Sequence, residues 1–316
     1  MRHPLTDLLA RKGSIVIDGA MSTALEAKGC DLNDSLWSAK VLYESPETIR
    51  AVHRDYFEAG ANVAITASYQ ASEAGFAAKG IGADEARRLV MRSVELAREA
   101  RDEWAQAVPG RSASDCLVAG AVGPYGAYLT NGAEYTGDYR LSPEEFRRFH
   151  ALRLEALLEA GADLIAFETM PRFDEIRTLL SMIEDRDVSC WVTVTLAAGA
   201  GAAMPDGTPL EKLGELLEAS PRVEVFGLNC VKRPFVEEAL TRLRSVSTKP
   251  LIVYPNSGEV YDPSTKTWHR PAAGSPDSAG WDHYVPLWKR LGAVCLGGCC
   301  RTLPSDILEI SKLIGK

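Results

Sequence analysis

Cys230, Cys299 and Cys300 are the residues of this chain whose types and spacing could do chemistry together. The first closes the run Val223-Glu-Val-Phe-Gly-Leu-Asn-Cys230, and the other two close Ala293-Val-Cys-Leu-Gly-Gly-Cys-Cys300, both read as β-strands. Neighbouring residues on a strand point to opposite faces, so an adjacent pair can aim both sulfurs at one point only where the strand has broken off. Gly297-Gly298 supplies that freedom. Three soft sulfur ligands with an open fourth position describe a catalytic zinc site, whereas a structural zinc normally takes a fourth protein ligand. The competing reading is that these are small buried core residues, since free cysteine is among the most buried types.

A metal held by three thiolates is a poor activator of water, for which histidine and carboxylate ligands are preferred. It is better matched to another soft sulfur, whose thiol it would make a thiolate at neutral pH. The chemistry implied is alkyl transfer to a small-molecule thiol. The histidines point the same way, because none of the five stands at a predicted strand end. His53 and His150 fall in helical patterns and are expected at the surface or an interface, and His269 and His283 lie in or after a long loop. Cys116 and Cys190 begin strands and are expected to pack. Cys295 is expected as filler inside the eighth strand and Cys30 as a loop thiol.

The elements that must position these residues alternate short apolar runs with longer helical patterns, the rhythm of repeated βα units. Strands are predicted at 14–18, 62–66, 116–122, 164–168, 190–196, 223–228, 250–254 and 293–296. Helices are predicted at 46–59, 83–106, 143–160, 172–184, 210–219 and 234–245, that at 143 opening on the cap signal Ser142-Pro143-Glu144-Glu145. Eight such strands suggest a (β/α)8 TIM-type barrel in a single domain spanning 1–316, with an open doubly wound sheet as the alternative. No Gly-x-Gly-x-x-Gly follows the first strand, and residues 255–280 form an elaborated loop after the seventh.

In a barrel, functional residues gather at the carboxyl ends of the strands. Asp18, Thr66 with Tyr69, Glu168, Asn229 with Cys230, Asn256 and Cys299-Cys300 all stand at such ends. Each alone has a duller explanation as a turn or a cap. Asp18 and Glu168 could hold the ammonium of an amino-acid substrate, and Gly-rich turns could offer main-chain N–H groups to its carboxylate. A cationic sulfonium would favour aromatic faces such as Tyr69, Tyr125, Tyr128 and Tyr135.

With 46% hydrophobic and 25% charged residues the composition is that of an ordinary globular enzyme. A formal charge of −8 argues against nucleic acid or an anionic membrane as partner. Seven cysteines with no apolar leader point to a reducing, cytoplasmic setting, and no apolar run reaches the roughly 18 residues needed to span a bilayer. Adjacent cysteines are strained as a disulfide and no Cys-x-x-Cys is present, which disfavours a zinc or thiol redox protein.

Taken together, the segments Asp18-Gly-Ala-Met-Ser-Thr-Ala-Leu-Glu26, Ile65-Thr-Ala-Ser-Tyr-Gln-Ala-Ser72, Gly123-Pro-Tyr-Gly-Ala-Tyr-Leu129, Phe167-Glu-Thr-Met-Pro171, Gly227-Leu-Asn-Cys230, Tyr254-Pro-Asn-Ser-Gly-Glu259 and Gly297-Gly-Cys-Cys-Arg-Thr302 resemble the homocysteine S-methyltransferases over essentially the whole chain. The resemblance implies a (β/α)8 barrel with one zinc (Zn2+) on Cys230, Cys299 and Cys300. It also implies that positions Asp18 and Glu168 bind L-homocysteine, whose sulfur takes the fourth place on zinc. Gly123–Leu129 with Glu134-Tyr-Thr-Gly-Asp138 is most similar to the branch using S-methylmethionine and sometimes S-adenosylmethionine, although Asn131-Gly-Ala133 stands where that branch often has Asp-Gly-Ser. Only Arg301 to Lys316 follow Cys300, which disfavours the betaine-dependent branch and its tetramer, so a monomer or small homo-oligomer is expected.

Overall fold

Eight parallel strands surround one axis in the computed structural model, which describes residues 2–32, 38–197, 203–262, 267–269, 271–272 and 274–315. They are β1 (Ile15–Val16), β2 (Val63–Ile65), β3 (Leu117–Val122), β4 (Leu164–Met170), β5 (Cys190–Val194), β6 (Val223–Asn229), β7 (Leu251–Tyr254) and β10 (Ala293–Leu296). The hydrogen-bonded order is β1-β10-β7-β6-β5-β4-β3-β2. The two ends of that sheet meet, because Ile17 bridges Val63 and the Asp18 N–H donates to the Val63 carbonyl at 3.1 Å. The Asn62 N–H reaches the Val16 carbonyl at 2.7 Å, and the closed circuit is the expected (β/α)8 barrel.

The helices between the strands follow the sequence periodicity closely: Pro46–Glu58, Ala83–Ala107, Pro143–Glu159, Phe173–Ile183, Leu210–Ala219 and Val236–Val246. Ser142 forms a capping box, its hydroxyl accepting from the Glu145 N–H at 3.3 Å while Glu145 accepts from the Ser142 N–H at 2.7 Å. Residues 255–280 contain more order than a loop reading allows. β8 (Val260–Asp262) and β9 (Thr267–His269) pair as an antiparallel hairpin, and a turn of 3-10 helix spans Pro276–Ser278. Segments of three residues fall below any periodicity signal.

Alternation along the strands divides the interior in two. Ile15, Ile17, Leu117, Ala119, Leu164, Ala166, Trp191, Val225, Ile252 and Cys295 fill the barrel, while their odd-even neighbours such as Val16, Val118, Ile165, Val192 and Phe226 pack under the helices. Cys295 is therefore interior filler, and Cys116 and Cys190 are buried as expected of packing residues. On β6, Gly227 passes so close to β7 that a Cβ would lie 2.0 Å from the Ile252 carbonyl oxygen, so only glycine fits.

Both helical histidines depart from expectation, since His53 and His150 are fully buried. His53 lies in the hydrophobic face of Pro46–Glu58 with neither ring nitrogen hydrogen-bonded, and burial pushes it down to about 3, so it packs as a neutral ring. His150 is held by partners described below. Helical periodicity marks which face a residue occupies, but imidazole sits equally well on either.

The amino-terminal end of the barrel is stoppered by helix Pro4–Lys12, whose Leu5 and Leu8 join the barrel interior. Its first N–H groups find their acceptor in Glu224 on β6, at 3.4 Å from Leu5 and 2.7 Å from Thr6, and Glu224 also accepts from the Ser189 hydroxyl. Replacing Glu224 by Ala leaves these donors without a partner and is expected to cost about 2–4 kcal/mol of unfolding free energy in urea titrations. Metal content should not change, because the stopper lies at the end of the barrel away from Cys230, Cys299 and Cys300.

Candidate active site

The strand ends opposite the stopper open into a cavity whose floor is set by the same alternation that fills the barrel. Ala166, Val225 and Ile252 face inward, so Glu168, Asn229 and Tyr254, each two or four residues further along, face inward one layer higher. Two of these strands end in strained backbone. Thr169 and Cys230 have φ of 60° and 53°, in the left-handed region that residues other than glycine seldom adopt. At Glu168-Thr169 the β4–β5 register also slips, a bulge beside the cavity. Cys230 ends the extended run of β6 in the same way, and its sulfur turns into the cavity.

Cys230, Cys299 and Cys300 converge there, with all three Sγ atoms within 4.8 Å of one another and Cys230 to Cys300 at 3.4 Å. Cys299 is pushed well up by its contacts with Cys230 and Cys300, and Cys230 rises too although it accepts from Cys299. Hydrogen bonds from Cys230 and Cys299 hold Cys300 well below the thiol range. Three thiolates this close together repel one another, so full ionisation of the cluster requires a cation. Sulfurs bound tetrahedrally at about 2.3 Å lie about 3.8 Å apart, so the cluster fits a metal ion with little movement. Asn229 steadies it by donating to Cys299 Sγ at 4.0 Å and to Thr169 Oγ1 at 2.7 Å, while its Oδ1 accepts from the Thr169 N–H at 2.8 Å. The Tyr135 hydroxyl lies 3.3 Å from Cys230 Sγ.

Glu168 stands on the same wall, and burial raises it to about 7. Its Oε2 accepts from the Tyr254 hydroxyl at 3.1 Å, which in turn meets Thr193 at 2.7 Å and the Trp191 indole at 3.1 Å. Asp18 is buried behind Gly19. One carboxylate oxygen accepts from the Ile65 N–H at 2.8 Å, and the other has no partner. Burial raises Asp18 well above the carboxylate range, and the neighbouring Glu168 adds to the rise. Two buried carboxyls without a cation between them are a site short of positive charge.

Of the residues predicted from sequence, Thr66, Tyr69, Glu168, Asn229, Cys230, Cys299 and Cys300 line one cavity. The Thr66 hydroxyl is spent on Ser68 at 2.7 Å and the Ala121 N–H at 2.9 Å, so it shapes the wall. Asp18 sits just behind the cavity, and Asn256 lies off it, its Oδ1 buried and unpartnered. Tyr69 and Tyr135 face the cavity, but Tyr125 and Tyr128 do not. They pack on Phe149 with ring centroids at 4.9 and 5.6 Å, because the short helix Tyr125–Tyr128 turns them outward. Sequence reasoning passed over Tyr254, whose parity with Ile252 would have placed it, and Glu134, which it quoted only within a motif. Asn131 Oδ1 accepts from the Ala133 N–H at 3.1 Å, a turn that aspartate could make equally well.

A closed (β/α)8 barrel carrying a three-thiol cluster and buried carboxyls at its carboxyl-terminal face has the layout of a metal-dependent barrel enzyme. The family model for homocysteine S-methyltransferase matches residues 15–314. The chain is 49% identical to homocysteine S-methyltransferase of Escherichia coli (strain K12) over 309 residues, 98% of this chain and 97% of that one. It is 44% identical to homocysteine S-methyltransferase YbgG of Bacillus subtilis (strain 168), across 98% and 97% of the two chains. The metallated form of the homocysteine methyltransferase MmuM from Escherichia coli superposes with a TM-score of 0.87 at 45% identity, covering 98% of this chain and 99% of that one. The chain belongs to the homocysteine S-methyltransferase family.

Cys230→Ser should reduce bound metal, measured by elemental mass spectrometry, to below about a tenth of one equivalent, since two thiolates do not complete the set. The urea midpoint of the metal-free protein should be unchanged. Glu168 makes a separate prediction for the metal-free, substrate-free protein. Its native value near 7 exceeds that of the unfolded chain, so the unfolded state ionises first as pH rises. Stability should therefore fall between about pH 4.5 and 7 and level off above. Glu168→Gln removes that cost and should be more stable than the parent by about 3 kcal/mol at pH 8, with no difference below about pH 4, in urea titrations across pH.

Proposed function

We propose that the chain, acting as one homocysteine-binding barrel domain over residues 1–316, transfers a methyl group from S-methylmethionine to the thiol of L-homocysteine. The observation that carries this reading is the convergence of three thiols and the Glu168 carboxyl on a single cavity, in a chain of the homocysteine S-methyltransferase family. Cys230, Cys299 and Cys300 would hold zinc, whose chemistry when bound is to lower the pKa of an incoming thiol. The residues around it bind and orient. Glu168, with Asp18 behind it, takes the substrate ammonium, whose charge offsets the burial that raises both carboxyls. Asn229 fixes Cys299. Tyr69 and Tyr135 offer aromatic faces to the cationic donor.

In the transfer, the homocysteine sulfur forms a bond to the donor methyl carbon as the sulfonium C–S bond breaks, and its electron pair stays with the departing sulfur. The thiol proton leaves to solvent, and both products are methionine. An anion and a cation become two neutral molecules, so the charges disperse in the transition state and a water-poor cavity favours it. No general base is required of the protein, whose task is positioning. The small-molecule substrates fit a monomer or small homo-oligomer in the cytoplasm, and no helix among the described residues is long and apolar enough to cross a membrane.

The test is a donor panel with reduced, zinc-loaded protein and homocysteine as acceptor. Methionine formation is expected to be fastest with S-methylmethionine, slower with S-adenosylmethionine and absent with betaine. Turnover with betaine alone would reassign the donor, and no turnover with either sulfonium would overturn the reading.

A further inference from the structure

Behind the cavity wall lies a chain of buried polar groups that the transfer reaction itself does not use. Arg153, on helix Pro143–Glu159, is 1% exposed. Its guanidinium donates to the carbonyl of Tyr69, to the carbonyl of Gly123 at 2.7 Å, and to His150 Nδ1 at 2.9 Å. His150 Nε2 meets Glu175 Oε1 at 2.7 Å, and that oxygen also accepts from the Tyr125 N–H at 2.7 Å. The other Glu175 oxygen accepts from the Tyr139 hydroxyl at 2.5 Å. Arginine can only donate, so His150 Nδ1 must accept. The imidazole is thereby fixed as the neutral tautomer with its proton on Nε2, donated to Glu175.

A buried guanidinium–carboxylate arrangement of this kind is poor evidence for stability, because well-packed apolar side chains often serve as well. Its partners say what it specifies instead. Tyr69 lies on the cavity wall, and its ring packs so tightly on Gly123 that a Cβ there would sit 2.6 Å from Tyr69 Cε2. The Thr169 side chain neighbours the Tyr69 phenol, Thr169 is doubly bonded to Asn229, and Asn229 donates to Cys299. A continuous path therefore runs from Glu175 through His150, Arg153 and Tyr69 to the thiol cluster. Tyr69 is held at its carbonyl by Arg153 and along its ring by Gly123.

We propose that Arg153 is a positioning residue for the methyl donor: braced by His150 and Glu175, it fixes the Tyr69 and Gly123 main chain and so sets the Tyr69 ring against the thiol cluster. The inference rests on the methyl-transfer reading above and names the residue that tunes its donor side. A displacement of the ring by less than an ångström would misplace the sulfonium methyl while leaving the metal and the homocysteine carboxyls untouched.

The test uses Arg153→Lys, His150→Asn (which keeps an acceptor for Arg153 but loses Glu175), Tyr69→Ala and the double variant Arg153→Lys/Tyr69→Ala, all zinc-loaded. Arg153→Lys is expected to raise KM for S-methylmethionine or lower kcat by about tenfold or more, with KM for homocysteine and metal content within about twofold of the parent. His150→Asn should do the same more weakly. In the Tyr69→Ala background Arg153→Lys should add less than about twofold, because its route of action is gone. Proportional loss in both substrates and in metal, or full additivity with Tyr69→Ala, overturns the proposal. A second readout needs no turnover. In protein labelled with 3-fluorotyrosine, the fluorine resonance that Tyr69→Phe removes should shift or broaden in Arg153→Lys, and an unmoved resonance also overturns the proposal. A parent protein inactive with every donor would sink the methyl-transfer reading, while the fluorine spectra would still decide whether Arg153 positions Tyr69.

Discussion

The barrel cannot hold three ionised sulfurs at its mouth unless a cation shares the space, and the rest of the site follows from that electrostatic constraint. Without a cation, sulfurs this close and this buried repel one another as they ionise, which pushes Cys299 and Cys230 up. With one, the same geometry becomes a ligand set. Holding three sulfurs within 4.8 Å in readiness for an ion requires rigid elements on both sides of the cluster, and these are strands of a closed sheet. Closure through Ile17 and Val63 removes the freedom of the sheet edges to drift, so β6 and β10 deliver their cysteines to one point.

The delivery depends on parity and on where it is broken. Strict alternation stacks Glu168, Asn229 and Tyr254 above the inward-facing apolar layers. Departures from it turn the remaining groups inward: the left-handed Thr169 and Cys230, and the glycines before Cys299. Strained backbone of this kind costs about 1–3 kcal/mol at each position and persists only where the surroundings over-determine it. Asn229 supplies that over-determination, bonding Thr169 through both ends of its amide while touching Cys299.

Much of this was legible in the sequence because the barrel repeats itself. Apolar runs, caps and glycine stops recur with each βα unit, and the strand ends could be read as a ring of polar residues before any contact was known. What escaped detection was what repetition does not encode. The hairpin of β8 and β9 consists of three-residue segments, too short for a period to show. His150 looked like any helical histidine, because its burial depends on Glu175 and Arg153, groups brought to it by the fold. Tyr125 and Tyr128 looked as suitable as Tyr69 and Tyr135, since sequence shows that an aromatic stands in a loop but not which way that loop turns. Asn256 shares the parity of Ile252 and Tyr254, but β7 ends at Tyr254, so alternation no longer sets its direction and it ends up off the cavity.

The carboxyls and the thiols face the same problem at one cavity. Glu168 and Asp18 are raised by burial, just as the thiol cluster resists full ionisation, so positive charge is favoured at two places in the cavity. On the proposed reading each is met by a different cation. The metal answers the sulfurs and the substrate ammonium answers the carboxyls. The sulfonium donor then brings a third positive charge, which disappears in the reaction itself as the attacking thiolate is neutralised. A cavity arranged in this way binds its reactants through charges it cannot satisfy alone. It loses one of them at the moment of transfer, which weakens its hold on the neutral thioether products relative to the charged reactants.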